Sequence, residues 1–222
     1  RSRDRADDAD ARAREREMQR FVEAIRVVQD RYVDVEKVQL DAMISNSLRG
    51  MITSIDPNAE VFYTGTTEKA SVPDDAPLLE WSGPDESGIA VLHIFGFAPD
   101  MKRQLRKLES EVGERGVAGI LVDARGAYGE DFGAAALVAE WFLPRETTIG
   151  SLVQRQGERI ETYIARRAPA WVTNQVVVLT DQALAGPGEF LAAALRANER
   201  CILVGRPTRG VAVVRSPVKI TD

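Results

Sequence analysis

The spacing of hydrophobic positions changes partway along the chain. Met18, Phe21, Val22, Ile25, Val28 and Tyr32 recur close to i, i+3, i+4, which predicts an amphipathic helix. A second helix is predicted from about Glu36, with Leu40, Met43, Ile44, Leu48, Met51 and Ile52 on one face. It should end within SIDPNAE, because Pro57 biases Asp56 away from helical backbone. The pair reads as an antiparallel helical hairpin over residues 18–63. Residues 1–17 mix Arg, Asp, Glu and Ala with almost no large apolar side chains, so they read as a charged helical or frayed arm without a sustained heptad.

Residues 64–88 are rich in Gly, Pro, Ser, Asp and Glu, which is linker composition. Beyond them the pattern alternates between short apolar runs and helical periods. IAVLHIFGF, VAGILVDAR, NQVVVLTD, RCILVG and GVAVVRS read as strands. Helices are predicted at Asp100–Arg115, with Met101, Leu105, Leu108 and Val112 inward, at Gly133–Phe142 and at Pro187–Asn198. TIGSLVQRQGERIETYIARR reads as a β-hairpin turning at Gln156 and Gly157. Apolar strands separated by helices imply an α/β core, residues 89–222, whose sheet is covered by helices on its faces.

The 222 residues are 44% hydrophobic and 28% charged with a net charge of -5, a balance that gives no reason to expect nucleic acid as a partner. No apolar run approaches the length of a membrane span. The single Cys, Cys201, rules out a disulfide within the chain, and with the single His, His93, it leaves too few ligands for a structural zinc site. No metal or cofactor is therefore expected. His93 lies in an alternating apolar run and reads as a strand residue with ordinary partners, and Cys201 reads as a small core residue. The chain starts at Arg1 rather than at a methionine, so something N-terminal is expected to have been removed, whether a signal peptide, a membrane anchor or a cloning boundary.

LTDQALAGPGEFLAAAL, residues 179–195, has the form of a strand, a tight turn and a helix start. Gly186 suits the N-cap, Pro187 fits N1 where its missing N–H costs nothing, and Glu189 falls at N3 near the positive end of the helix dipole. Such turns carry nucleophiles in many enzymes, yet no Ser, Cys or Thr lies between Asp181 and Glu189.

Four stretches in order resemble the tail-specific, or C-terminal-processing, serine peptidases, whose core is ClpP/crotonase-like. FVEAIRVVQDRYVDVEKVQLDAMISNSLRGMITSIDPNAEVF is similar to the family's N-terminal helical pair. GVAGILVDARGAYGED resembles its Leu-Asp-Leu-Arg-x-Asn-x-Gly-Gly element, and VVVLTDQALAGPGEFLAAALRAN the segment bearing the nucleophilic serine. CILVGRPTRGVAVVRS resembles the segment bearing the lysine general base. The resemblance implies an α/β core of strands and helices behind a helical hairpin.

The departures from that pattern set the functional expectation. The resemblance places Gly186 at the serine, Val211 at the lysine and Arg215 at a glutamine that orients the lysine in some members. The residue after the nucleophile, whose N–H normally helps hold the oxyanion, is Pro187. In the glycine pair near the other donor, Gly129 is kept and the second position is Glu130, a carboxylate that would repel an oxyanion. Thr180, Thr208 and Ser216 lack a Lys or His at a plausible partner position, and Lys219 sits beyond the aligned lysine. The family's PDZ domain has no room in residues 64–88, and the core ends earlier than the family core usually does. The reading is a degenerate member without catalytic residues, acting as a peptide- or protein-binding or regulatory module outside the cytoplasm. An active serine endopeptidase, a carrier of a small apolar ligand and a homo-oligomer built on the arm are the alternatives.

Overall fold

A computed structural model describes residues 2–57, 59, 61, 76–111, 116–154, 157–168, 171 and 174–214. The chain divides into two units, Arg1–Lys69 and Ala70–Asp222.

In the first unit the charged arm and the first predicted helix are one 30-residue helix, α1 (Ser2–Arg31). Ion pairs one turn apart, Asp8–Arg12 at 3.3 Å and Glu17–Arg20 at 2.9 Å, support its solvated face. A 3₁₀ turn at Val35–Lys37 stands where the second helix was expected to begin, and α2 (Leu40–Ile55) follows. As Pro57 requires, Asp56 is extended (φ −133°, ψ 104°), and its N–H donates to the Ile52 carbonyl at 3.0 Å to close the helix.

The second unit is built on a five-stranded sheet. The stretch of linker composition contains a strand, β1 (Leu79–Ser82). IAVLHIFGF divides at Phe95 into β2 (Ile89–Ile94) and β3 (Gly96–Phe97). Then come α3 (Met101–Glu111), β4 (Gly119–Asp123), β5 (Tyr128–Gly129) and α4 (Phe132–Ala139). The predicted hairpin is β6 (Thr148–Val153) with β7 (Arg159–Ile164), followed by β8 (Gln175–Thr180), α5 (Pro187–Ala197) and β9 (Ile202–Gly205). The helix α4 stops short of its predicted end, and Val112 lies outside the described residues.

The sheet order is β1-β2-β4-β8-β9, with β1 antiparallel and the rest parallel. A two-stranded parallel sheet joins β3 to β5. The expected strand GVAVVRS does not form over its described part: Gly210 and Val211 are drawn to the start of α5 instead, as set out below, and Arg215 and Ser216 lie outside the described residues.

Register explains the core. Ala90, Ile120 and Val176 lie side by side on neighbouring strands, as do Leu92, Val122 and Val178, and all six are buried. Leu92, Ile120, Val122, Val176 and Val178 join one apolar cluster with Met101 and Leu105 of α3, Ala135 and Val138 of α4, and Leu191 and Leu195 of α5. On the opposite face Val91, Leu121 and Val177 form a half-buried row that ends at the exposed Ile202.

Beside the core, Trp81 stacks on Trp171 with ring centroids 4.8 Å apart, and Trp141 meets Trp171 edge-on at 4.9 Å. The Arg200 guanidinium ties this corner together by donating to the backbone carbonyls of Phe142, Trp171 and Asn174. Guanidinium geometry suits three carbonyls at once, which lets a partly buried cation serve as a backbone brace.

Candidate functional site

The turn between β8 and α5 is shaped first by Asp181. Its Oδ1 accepts N–H groups from Ala183 at 3.1 Å and Leu184 at 3.0 Å, an Asx turn that bends the chain as it leaves the sheet. The same oxygen accepts from Gly126 N–H at 3.1 Å, fastening the loop after β4 to the loop after β8. Leu184 is fully buried, and a Cβ on Gly188 would lie 3.0 Å from its Cγ and 3.4 Å from the Phe97 ring. Glycine at 188 is what allows the helix start to seat that deeply.

Gly186 sits at φ 54°, ψ −118°, backbone that glycine adopts freely and other residues only under strain. Strand-to-helix turns of this strained kind carry exposed nucleophiles in other enzymes. Space beside the Gly186 Cα is open, with no atom within 4 Å of where a Cβ would be. Pro187 follows at N1 and donates nothing, while the Gly188 N–H is turned onto the Ala185 carbonyl at 3.2 Å.

The segment after β9 runs alongside this turn. Arg206 N–H donates to the Thr180 carbonyl at 3.0 Å, and Arg209 N–H to the Leu184 carbonyl at 3.0 Å. Gly186 N–H donates to the Val211 carbonyl at 3.0 Å, so the two positions that the resemblance places at the serine and the lysine meet backbone to backbone. Glu189, only 7% exposed, holds the junction. Its Oε1 accepts from Gly210 N–H at 2.5 Å, and its Oε2 accepts from Val211 N–H at 2.8 Å and Gly186 N–H at 3.2 Å. Three N–H donors and the helix N-terminus together stabilise a buried carboxylate that has no cation beside it among the described residues.

Gly129 ends β5 with φ 112°, and a Cβ there would collide with the Phe97 carbonyl oxygen across the β3–β5 pair. Phe97 therefore packs its backbone against Gly129 and its ring against Gly188. Glu130 next to it is exposed, and Asp131 caps α4 by accepting from Ala134 N–H at 3.0 Å. Arg215 lies outside the described residues, as do Ser216 and Lys219.

Thr180 is buried, and its hydroxyl donates to the Arg206 carbonyl at 2.9 Å, a structural bond that takes it out of the reckoning as a displaced nucleophile. Burial pushes the Cys201 thiol up to about 11, so it is protonated and unreactive at neutral pH.

The sequence reading gave no role to a cleft at the carboxyl ends of β2, β4 and β8, of about 270 Å³, lined by His93, Ile94, Phe95, Asp123, Arg125 and Asp181. The carboxyl ends of parallel strands are where α/β sheets place ligands. Arg125 grips Asp123 with two bonds, Nε to Oδ1 at 2.8 Å and Nη2 to Oδ2 at 2.6 Å. His93 Nδ1 stands 3.6 Å from Asp123 Oδ2, too far for a hydrogen bond. The signal for this cleft was His93 and Asp123 at matching ends of adjacent strands, which becomes visible only once the register pairs them.

Arg125 holds the Asp123 carboxyl below its ordinary range, ahead of the opposing effect of burial. A carboxyl depressed in the folded state contributes stability above its unfolded pKa and loses that stability as pH falls through the folded value. Acid titration of unfolding free energy should therefore show a loss beginning near pH 4. Arg125→Met should flatten that acid limb, and an unchanged limb would show that Asp123 is not its source.

Among the described residues no group of three or more His, Cys, Asp or Glu is placed to hold a metal ion, and no helix is long and apolar enough to cross a membrane.

Residues 88–222, which include the turn at Gly186, the segment after β9 and the cleft at His93, match Peptidase family S41. The chain belongs to this family. A carboxyl-terminal-processing protease of Synechocystis sp. is 30% identical over 160 residues, 72% of this chain and 36% of that protein. Another from Picosynechococcus sp. is 30% identical over 134 residues, 60% of this chain and 32% of that protein. This S41 chain thus spans about a third of the length of these curated relatives. Among solved structures, a photosystem II D1 C-terminal processing protease superposes with a TM-score of 0.53 at 21% identity, covering 61% of this chain and 38% of that one. A lipoprotein of Streptococcus agalactiae superposes with a TM-score of 0.50 at 14% identity, covering 63% and 53%. These likenesses agree with the α/β core derived above.

Proposed function

We propose that this S41 domain is catalytically inactive and serves as a peptide- or protein-binding or regulatory module. One observation carries the reading: Gly186 N–H is bonded to the Val211 carbonyl, so the aligned nucleophile and base positions face each other as a glycine and a valine. A Ser–Lys mechanism needs a hydroxyl to attack and an amine to take its proton, and neither group is present at these positions. Pro187 removes one oxyanion donor as well, so nucleophile, base and anion stabilisation fail together. What supports a retained binding role is that the scaffold around the turn is fully built, with Asp181, Glu189 and Gly188 in structural use.

By kinship with the processing proteases, the partner is a protein or peptide and the setting is outside the cytoplasm. Residues 64–88 stand in place of a PDZ domain, leaving capture of a chain to the core itself.

The test is incubation of the purified chain with unstructured peptides, read for cleavage by mass spectrometry and for binding by fluorescence anisotropy. Saturable binding without products is the expected result. Cleavage that disappears in Thr208→Val would overturn the proposal in favour of a peptidase with a displaced nucleophile. Uptake of lipophilic probes without peptide binding would replace it with the apolar-carrier reading.

A further inference from the structure

Asp181 shapes its turn with one oxygen only. Oδ1 accepts the N–H groups of Gly126, Ala183 and Leu184, while Oδ2 accepts none among the described residues, and the residue lines the cleft at the carboxyl ends of β2, β4 and β8. The His93 ring lines the same cleft and makes no hydrogen bond among the described residues.

Charge and shape together select a ligand. The Arg125 guanidinium is held on Asp123 by two short bonds, so the Asp181 carboxylate is the charge left over. Beside an uncharged imidazole the cleft is therefore anionic and favours a cation. An anionic ligand would have to take Arg125 from Asp123 and approach Asp181 as well. His93 and Phe95 hold their rings within 9° of parallel, with centroids 6.2 Å apart, and Phe95 is 38% exposed. Flat π surfaces suit a flat, weakly hydrated cation better than a compact ammonium, which keeps its water. The volume, about 270 Å³, lies below the range of about 300–1,000 Å³ usual for whole small-molecule sites, and it admits one side chain.

We propose that this cleft is a binding site for the guanidinium of an arginine side chain carried by a peptide partner. Asp181 Oδ2 accepts its N–H groups, and the His93 and Phe95 rings meet its flat face. That the arginine belongs to a peptide rests on the peptide-binding role proposed for the domain.

His93 is the only histidine, so its ring protons give one unambiguous set of NMR signals. The full chain is titrated at about pH 8, where an ordinary imidazole is uncharged, with N-acetyl-arginine methylamide and its lysine, citrulline and aspartate analogues. The expected result is a saturable shift of the His93 signals by the arginine compound at about 1–10 mM, and none by citrulline, which has the shape without the charge. Asp181→Asn keeps Oδ1 for the turn and should weaken binding about fivefold or more. Phe95→Leu keeps an apolar side chain without the ring and should weaken it about twofold to fivefold. Far-UV circular dichroism checks the fold of each, and if Asp181→Asn loses it the Phe95 variant decides. Equal shifts from arginine and citrulline, a preference for lysine or aspartate, or unchanged affinity in the folded variants overturns the proposal. Anisotropy of labelled peptides that differ only in arginine or citrulline separates the two readings. Peptides that bind equally well overturn the arginine site and leave the peptide-binding role standing. No peptide binding beside a saturable shift by the arginine compound supports the guanidinium site and overturns the peptide-binding role.

Discussion

Glu189→Ala is expected to lower the unfolding free energy by about 2–4 kcal/mol, the largest stability effect of any single change at the turn. The carboxylate, itself 7% exposed, accepts from the N–H groups of Gly210 and Val211 and shares that of Gly186 with the Val211 carbonyl. A buried donor left without a partner costs about 1–3 kcal/mol, and here the N–H groups of Gly210 and Val211 lose theirs together while Gly186 N–H keeps the Val211 carbonyl. Glu189→Gln keeps one acceptor oxygen but sets an NH₂ group toward the same donors, so it should fall between alanine and the original. Urea unfolding followed by tryptophan emission measures both. A loss under about 1 kcal/mol for alanine would mean that the segment at 210–211 does not depend on this carboxylate.

The largest effect on chemistry is expected from rebuilding the dyad. Gly186→Ser/Val211→Lys supplies both groups where the turn and the returning segment already touch through the Gly186–Val211 bond. Open space at the Gly186 Cβ position admits the serine side chain, at a conformational cost of about 1–3 kcal/mol for entering φ 54°. With Pro187 in place the pair still lacks an oxyanion donor. The triple variant that adds Pro187→Ala should therefore exceed the double variant by about 10²–10³ in turnover of an activated ester. Equal rates for the two would show that Pro187 is not the missing donor. Gly186→Ser alone should stay at background, because the serine has no base to take its proton.

The sequence carried the elements of the core further than their connections. Residues 175–180 and 187–197 were legible because an apolar run and a Gly-Pro-Gly-Glu helix start are local signals. Leu79–Ser82 was hidden because four residues among Pro, Asp and Gly give no period to count, and the strand exists only by pairing with β2. The apolar run GVAVV reads as a strand by composition, whereas the buried Glu189 carboxylate claims the N–H groups of Gly210 and Val211, a tertiary contact spanning 22 residues that no local pattern reveals. Gly186 and Val211 stand at the serine and lysine only by the resemblance, and their meeting through the backbone could not be read from either segment alone. The cleft at His93 was missed for the same reason, since strand register rather than sequence distance brings Asp123 beside it.

The aromatic corner beside the core has a practical consequence. The chain contains three tryptophans, and Trp81, Trp141 and Trp171 all belong to that one stack in the second unit. Emission excited in tryptophan alone therefore has its source only in the second unit, while the ellipticity at 222 nm draws on α1 and α2 as well as the core helices. Two optical signals thus divide the molecule along its own boundary. The separation of their melting curves is a direct measure of how strongly the two units unfold together.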